Sequence, residues 1–276
     1  MPEFADSSRA RAETPAERHS RWSWIHDTAA MTGWDFSALS DRLHADDPPW
    51  DFDLLCRRAM LESTNCLDMG TGGGERLIRL IRALRASTGS DSDAIPLIHA
   101  TEGWEDNLPV ATSALKEFGV EVSEYDSEAG DRLPWDDGEL DLVMNRHESY
   151  DIAEVVRVLA PGGIFLTQQV DSTEAAEFRD WFGGEPDSDI QLDLCIDEAE
   201  RYGLTIDAAR RWQGTMKFTD VEAVLEYLAY IPWDVPGFTV KDNLGALERL
   251  AAKSGPITVT QKRFLLATTK GDTAKG

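Results

Sequence analysis

Residues 66–75 read CLDMGTGGGE: a short apolar run, four glycines within five positions, then a carboxylate. The apolar run suits a buried strand, and the glycines form the turn behind it. Glycine adopts backbone conformations closed to other residues and carries no Cβ, so the chain here can bend sharply and come close to a ligand. Two phosphate-cradling versions of such a turn are excluded by spacing. The triphosphate loop needs a lysine and a hydroxyl after its last glycine, whereas Glu75 and Arg76 follow Gly74. The dinucleotide pattern G-x-G-x-x-G fails because Glu75 stands where its third glycine belongs. Asp68 and Glu75 bracket the loop, which suits a ligand with a cationic centre better than a pyrophosphate.

Strand-like and helix-like segments alternate around this loop. DFDLLCRRAML (51–61) reads as a helix with Leu54, Leu55, Ala59 and Leu61 facing inward. In ERLIRLIRALRA (75–86), Leu77, Leu80, Ile81 and Leu84 share one helix side. Arg76, Arg79, Arg82 and Arg85 share the other, which reads as a solvated face. PLIHATE (96–102), VEVSEYD (120–126), ELDLVMNR (139–146) and IFLTQQV (164–170) are strands, with helices over 107–119 and 151–163 between them. A helix (190–203), a strand (204–212), two helices (221–231, 243–255) and a closing strand (262–269) follow.

This rhythm predicts an α/β fold: a Rossmann-like, doubly wound, mostly parallel seven-stranded sheet with helices on both faces. N-terminal and C-terminal helical cap elements flank it. Residues 1–20 are expected as a mobile tail, 21–50 as a Trp-rich cap segment, 51–212 with 259–270 as the core, and 213–258 as a helical insertion over the substrate.

Composition narrows the function. The chain carries 51 acidic and 27 basic residues, a formal charge of −24. A phosphate backbone would be repelled over most of such a surface, which disfavours nucleic acid as a partner. The cysteines at 56, 66 and 195 have no metal-ligand spacing, and no metal is expected. They fit a reduced, cytoplasmic setting. No apolar run reaches the ~18 residues that span a bilayer, so no membrane partner is expected.

Carboxylates recur at strand ends. Glu102 ends the second core strand, where a carboxylate can accept both hydroxyls of a ribose. Asp126 ends the third, where one can accept from an adenine amino group. With the loop, these point to a ligand combining adenosine, a sulfonium and an ammonium.

On four stretches the chain resembles the class I S-adenosylmethionine-dependent methyltransferases, in their small-molecule branch: LDMGTGGGE (67–75), ATEGWEDNLPVA (100–111), LPWDDGELDLVMNRHE (133–148) and VVRVLAPGGIFLTQQV (155–170). The resemblance covers about residues 50–212 and the last strand. It implies S-adenosylmethionine as cofactor, lined by Asp68, Gly70, Thr71, Gly72 and Gly74, with Glu102 on the ribose and Asp126 on the adenine. Gly103 departs from the family, which usually packs a larger residue on adenine there; Trp104 is expected to supply that surface. Asn145 and Arg146 follow the fourth strand near the methyl group.

The acceptor side is read from NRHESY (145–150), unusually polar for a strand end. His147 is a candidate base, Glu148 a holder of a cationic amine, and Tyr150 an orienting hydroxyl. Trp34, Trp50, Arg146, Gln168 and Trp233 are candidate substrate contacts. The expected reaction is methyl transfer to a small metabolite, nitrogen ahead of oxygen as acceptor. The alternatives are an RNA base methyltransferase and a non-catalytic protein that binds the same cofactor. Monomer and homodimer are both open.

Overall fold

The computed structural model describes residues 13–31, 36–88, 95–185 and 190–271. Helix α1 (Pro15–Thr28) and strand β1 (Leu43–Ala45) precede α2 (Phe52–Leu61), β2 (Asn65–Met69), α3 (Glu75–Thr88), β3 (Leu97–Glu102), α4 (Leu108–Leu115) and β4 (Glu121–Glu124). Then come β5 (Leu140–Arg146), α5 (Ile152–Val158), β6 (Leu159–Val170), α6 (Ala176–Phe182), α7 (Leu192–Arg201), β7 (Leu204–Phe218), α8 (Val221–Tyr230), α9 (Leu244–Ala251) and β8 (Ile257–Lys270).

The strands form one sheet in the order β1-β7-β8-β6-β5-β2-β3-β4. Five of them, from β4 to β6, run parallel. β8 is antiparallel to β6 and β7, and β1 is antiparallel to β7. The sheet is therefore mixed and eight-stranded, not a mostly parallel sheet of seven. The added strand is β1, too short at three residues to show an alternation in sequence.

Alternation sends neighbouring residues of each strand to opposite faces. On one face Cys66, Leu142, Met144 and Leu166 pack under α2, α3 and α4. On the other Leu67, Met69, Val143 and Phe165 meet α5 and α7. α2 starts where Asp51 accepts a hydrogen bond from Leu54 N (2.8 Å), and it buries Phe52, Cys56 and Met60 rather than Leu61, which is exposed. From β2 the chain builds outward to β3 and β4, then returns to β5 on the other side. Strand order reverses there, and the crevice beyond the strand ends at such a point is where open α/β sheets bind ligands.

A second core stands over that edge. Arg263 pairs with Val170, the last residue of β6, so Ile257–Lys262 runs past the end of the parallel strands. Residues 213–218, expected in a helical insertion, extend β7 alongside it as far as Phe218↔Ile257. This two-stranded arm carries α8 and α9. Asp220 caps α8 by accepting from Ala223 N (2.8 Å). α8 buries seven of its ten residues, because Trp22, Phe178, Phe218 and Leu247 enclose it. Trp22 belongs to α1, which begins in a Thr14–Glu17 capping box. Residues 15–20 are thus helix, a correction to the expected tail: the reciprocal cap and the docking of Trp22, whose Nε1 donates to Glu222 (2.9 Å), order them. Among the described residues no helix is long and apolar enough to cross a membrane.

Candidate functional site

The glycine turn lies at the strand-order reversal. Gly70, Gly72 and Gly74 have φ of +67°, +62° and +87°, a region that costs residues with a Cβ about 1 kcal/mol or more. Space is equally restrictive at Gly70, where a Cβ would stand 2.3 Å from Glu148 Cγ. Thr71 N donates to Thr101 O (2.9 Å), tying the turn to β3.

Glu102 completes that tie. Its carboxylate is buried and accepts from Gly72 N (2.6 Å) and Trp104 N (2.9 Å). Burial raises its pKa, and these backbone donors partly offset the rise. Gly103 is explained by crowding, since a Cβ there would meet Tyr125 O at 2.7 Å. Trp104 is 57% exposed. Asp126 accepts from Glu128 N and Ala129 N (2.8 and 3.2 Å), which fixes the turn after β4.

Asp68 is engaged within the protein. It is buried, accepts from Thr71 Oγ1 (3.0 Å) and pairs with Arg76 Nη1 (3.0 Å). Arg76 also donates to Asp53 (2.8 Å) and lies over the Phe52 ring. The arginine face of α3 is solvated at Arg79, Arg82 and Arg85, as expected, while Arg76 is half-buried and paired. Arg79 reaches Asp53 at 4.0 Å, and Arg82 and Arg85 lie over Phe118.

The end of β5 is held from both faces. Asn145 Oδ1 accepts from Thr167 Oγ1 (3.1 Å) and Gln169 Nε2 (2.6 Å), and Gln169 also donates to Glu148 O (2.9 Å). The Asn145 amide nitrogen is buried with no hydrogen-bond partner among the described residues. On the opposite face Gln168 Oε1 accepts from Trp50 Nε1 (2.7 Å), and Gln168 Nε2 lies 3.1 Å from His147 Nε2. The indole N–H can only donate, so it fixes the orientation of the amide, whose nitrogen donates to the imidazole. His147 therefore accepts at Nε2 and carries its proton on Nδ1.

His147 has φ +63°, and its backbone N donates to Gln168 O (2.9 Å). The surrounding protein, reinforced by Arg263, Arg146 and Arg76, holds its pKa well below the ordinary imidazole value. Glu148 moves the other way. Burial, then the charges of Glu102, Asp126 and Glu128, push its carboxyl up to about 7.

Arg146 pairs in register with Gln168 and shares its sheet face. It lies open to solvent and forms no hydrogen bond or ion pair with any described residue. Arg263, half-buried on β8, is ion-paired to Glu174, while burial and then Arg146 lower its pKa to about 9. Nothing in KRFLLATT marks Arg263 as belonging here; only the β6–β8 register brings it over. Trp50 also lines an apolar trough of about 340 Å³ with Leu54, Leu55, Leu166 and Leu265.

Two candidates lie apart. Tyr150 packs edge-on against Phe165 on the α5 and α7 face (4.9 Å between centroids) and hydrogen-bonds Cys195, where burial raises its pKa. Trp233 sits half-buried in the cap, in the turn after α8. Trp34 lies outside the described residues. No three metal-ligating side chains gather among the described residues.

No family model matches the chain, and no curated protein does. Solved structures do. A Bacillus halodurans C-125 protein with a provisional methyltransferase name superposes with a TM-score of 0.56 at 18% identity, over 80% of this chain and 99% of its own. The YcgJ protein of Bacillus subtilis gives 0.56 at 16%, over 80% and 98%. The [4+2]-cyclase SpnF gives 0.50 at 17%, over 95% and 98%. The fold resembles that of the class I S-adenosylmethionine-dependent methyltransferases.

Proposed function

We propose that the chain binds S-adenosylmethionine in the glycine turn and transfers its methyl group to a nitrogen of a small metabolite. The observation that carries this reading is the arc of carboxylates, Glu102, Glu148 and Asp126, set around a turn whose Gly70 has no room for a side chain. The arc suits a cationic nucleoside and repels a pyrophosphate. The residues fit this cofactor: Gly70 permits close approach, Glu102 suits the ribose hydroxyls and Asp126 the adenine amino group. The buried, unpartnered Asn145 amide has a hydrogen bond to give.

When bound, the cofactor supplies an electrophilic methyl group for in-line displacement, and the protein's task is alignment and proton removal. Glu148, with a pKa near neutrality, is the better proton acceptor. His147 has its Nε2 engaged by Gln168 and offers an N–H, so it orients an acceptor rather than deprotonating it. A basic funnel for RNA finds no support in the α3 arginines, which are taken up by Asp53, Asp68 and Phe118. A second reading, cofactor binding without methyl transfer, draws on SpnF, a cyclase of the same fold.

The test is calorimetric titration with S-adenosylmethionine and S-adenosylhomocysteine. Micromolar binding by the wild type, lost in Glu102→Ala, is expected. If folded wild-type protein binds neither nucleoside, the proposal is wrong.

A further inference from the structure

One positive group in the crevice has no counter-charge among the described residues. Three guanidiniums act on His147, yet two are ion-paired within the protein: Arg76 with Asp68 and Asp53, and Arg263 with Glu174. Arg146, open to solvent, makes no such bond with any described residue. Asp53, an acid near enough to act on it, already holds Arg76 and reaches Arg79. Arg146 stands at the strand-order reversal, where open α/β sheets bind ligands.

Beside it stand groups able to complete a planar anion site. Gln168 is register-paired with Arg146 and shares its sheet face. The Trp50–Gln168–His147 chain of hydrogen bonds leaves the imidazole proton on Nδ1, so His147 adds a neutral donor and no second charge. One free guanidinium balances one negative charge. A fork of parallel N–H donors matches a carboxylate, whereas a phosphate dianion calls for a further free cation.

We propose that Arg146 anchors a carboxylate carried by the methyl acceptor, so that substrates of this site are small monocarboxylic acids. The word acceptor rests on the methyl-transfer reading; the anion site does not. Glu148 and its neighbouring carboxylates would then face the cofactor and the nucleophile, while Arg146 holds the acid end.

The experiment is calorimetry on the full chain saturated with S-adenosylhomocysteine. The probes are acetate, hexanoate, benzoate, 2-aminobenzoate and indole-3-acetate, the corresponding amides, and phenyl phosphate. At least one acid is expected to bind at least tenfold tighter than its amide and tighter than phenyl phosphate. Arg146→Gln should remove that preference and leave S-adenosylhomocysteine affinity within twofold, while Arg146→Lys should retain part of it. The proposal is overturned if no acid binds, if acid and amide bind alike, or if phenyl phosphate binds best. It is equally overturned if Arg146→Gln binds the acids like wild type or loses the nucleoside instead, which would assign Arg146 to the cofactor's own carboxylate. Should wild type bind no nucleoside, the methyl-transfer reading fails separately. The acids are then titrated alone, and the same acid-over-amide test decides the anion site.

Discussion

The two sides of the crevice carry opposite charge although they meet in consecutive residues. Around Glu148 lie Glu102, Asp126 and Glu128; around His147 lie Arg76, Arg146 and Arg263. Burial, reinforced by the first group, raises a carboxyl, and burial, reinforced by the second, depresses an imidazole. Each carboxylate of the acidic side ends or follows a strand or its turn, so chain order places it. The basic side is assembled from α3, β5 and β8, which only the sheet brings together. The net charge of −24 describes the surface as a whole and gives no warning of a local positive field.

The largest effect should come where a buried charge loses its partner. Asp68→Ala leaves Arg76 with only the more exposed Asp53 as counter-charge and should cost roughly 3 kcal/mol of stability in a denaturant melt. A loss under about 1 kcal/mol would show that Asp53 alone satisfies Arg76, and that the basic side is less tightly balanced than described.

Next is Glu102→Ala. It removes the acceptor for the backbone N–H groups of Gly72 and Trp104. Nucleoside affinity should fall at least about a hundredfold with overall stability less affected. An equal loss in both would recast Glu102 as a structural tie.

The raised carboxyl of Glu148 gives a pH signature. An acid whose folded pKa exceeds its unfolded value contributes stability that is full below the unfolded pKa and lost as pH rises through the folded one. For Glu148 that window runs from the ordinary carboxyl value of about 4.5 to about 7. A cationic ligand favours the ionised form, so S-adenosylmethionine affinity should rise through about pH 7, roughly tenfold relative to the uncharged-sulfur product. Glu148→Gln should abolish the difference. A parallel rise for both nucleosides would remove Glu148 from the sulfonium.

The smallest effect expected is in Trp50→Phe, which removes the donor that orients Gln168 and should cost about 1 kcal/mol. Its informative readout is the His147 tautomer by nitrogen NMR. Wild type should show the proton on Nδ1 and the variant a mixture; an unchanged spectrum would mean that Gln168 is held otherwise.

Much of this was legible in residues. The glycine turn, the strand-end carboxylates and the alternation of periods two and three to four are local properties, and the elements from α2 to β5 formed near their expected places. The inward face of α2 was misjudged because Phe52, Cys56 and Met60 compete with four aliphatic positions around the helix. Residues 213–218 form strand because pairing with β8 overrides a pattern that has no clear alternation of its own. Tyr150 was legible as a polar group at a strand end, but the turn after β5 sends it to the other face, against Phe165.

The sequence by itself determined a nucleotide-type turn behind a buried strand and the acidic surroundings that suit a cationic nucleoside, because both depend on residues adjacent along the chain. The tertiary structure alone decided the rest. It paired Arg76 and Arg263 with acids and left Arg146 unpaired among the described residues, and it set the His147 tautomer through Gln168 and Trp50. It also raised a second core on the β7–β8 arm over the strand ends. Apart from the Asp68–Arg76 pair, these arise from contacts between residues far apart along the chain, where register and burial, not local composition, select the partner.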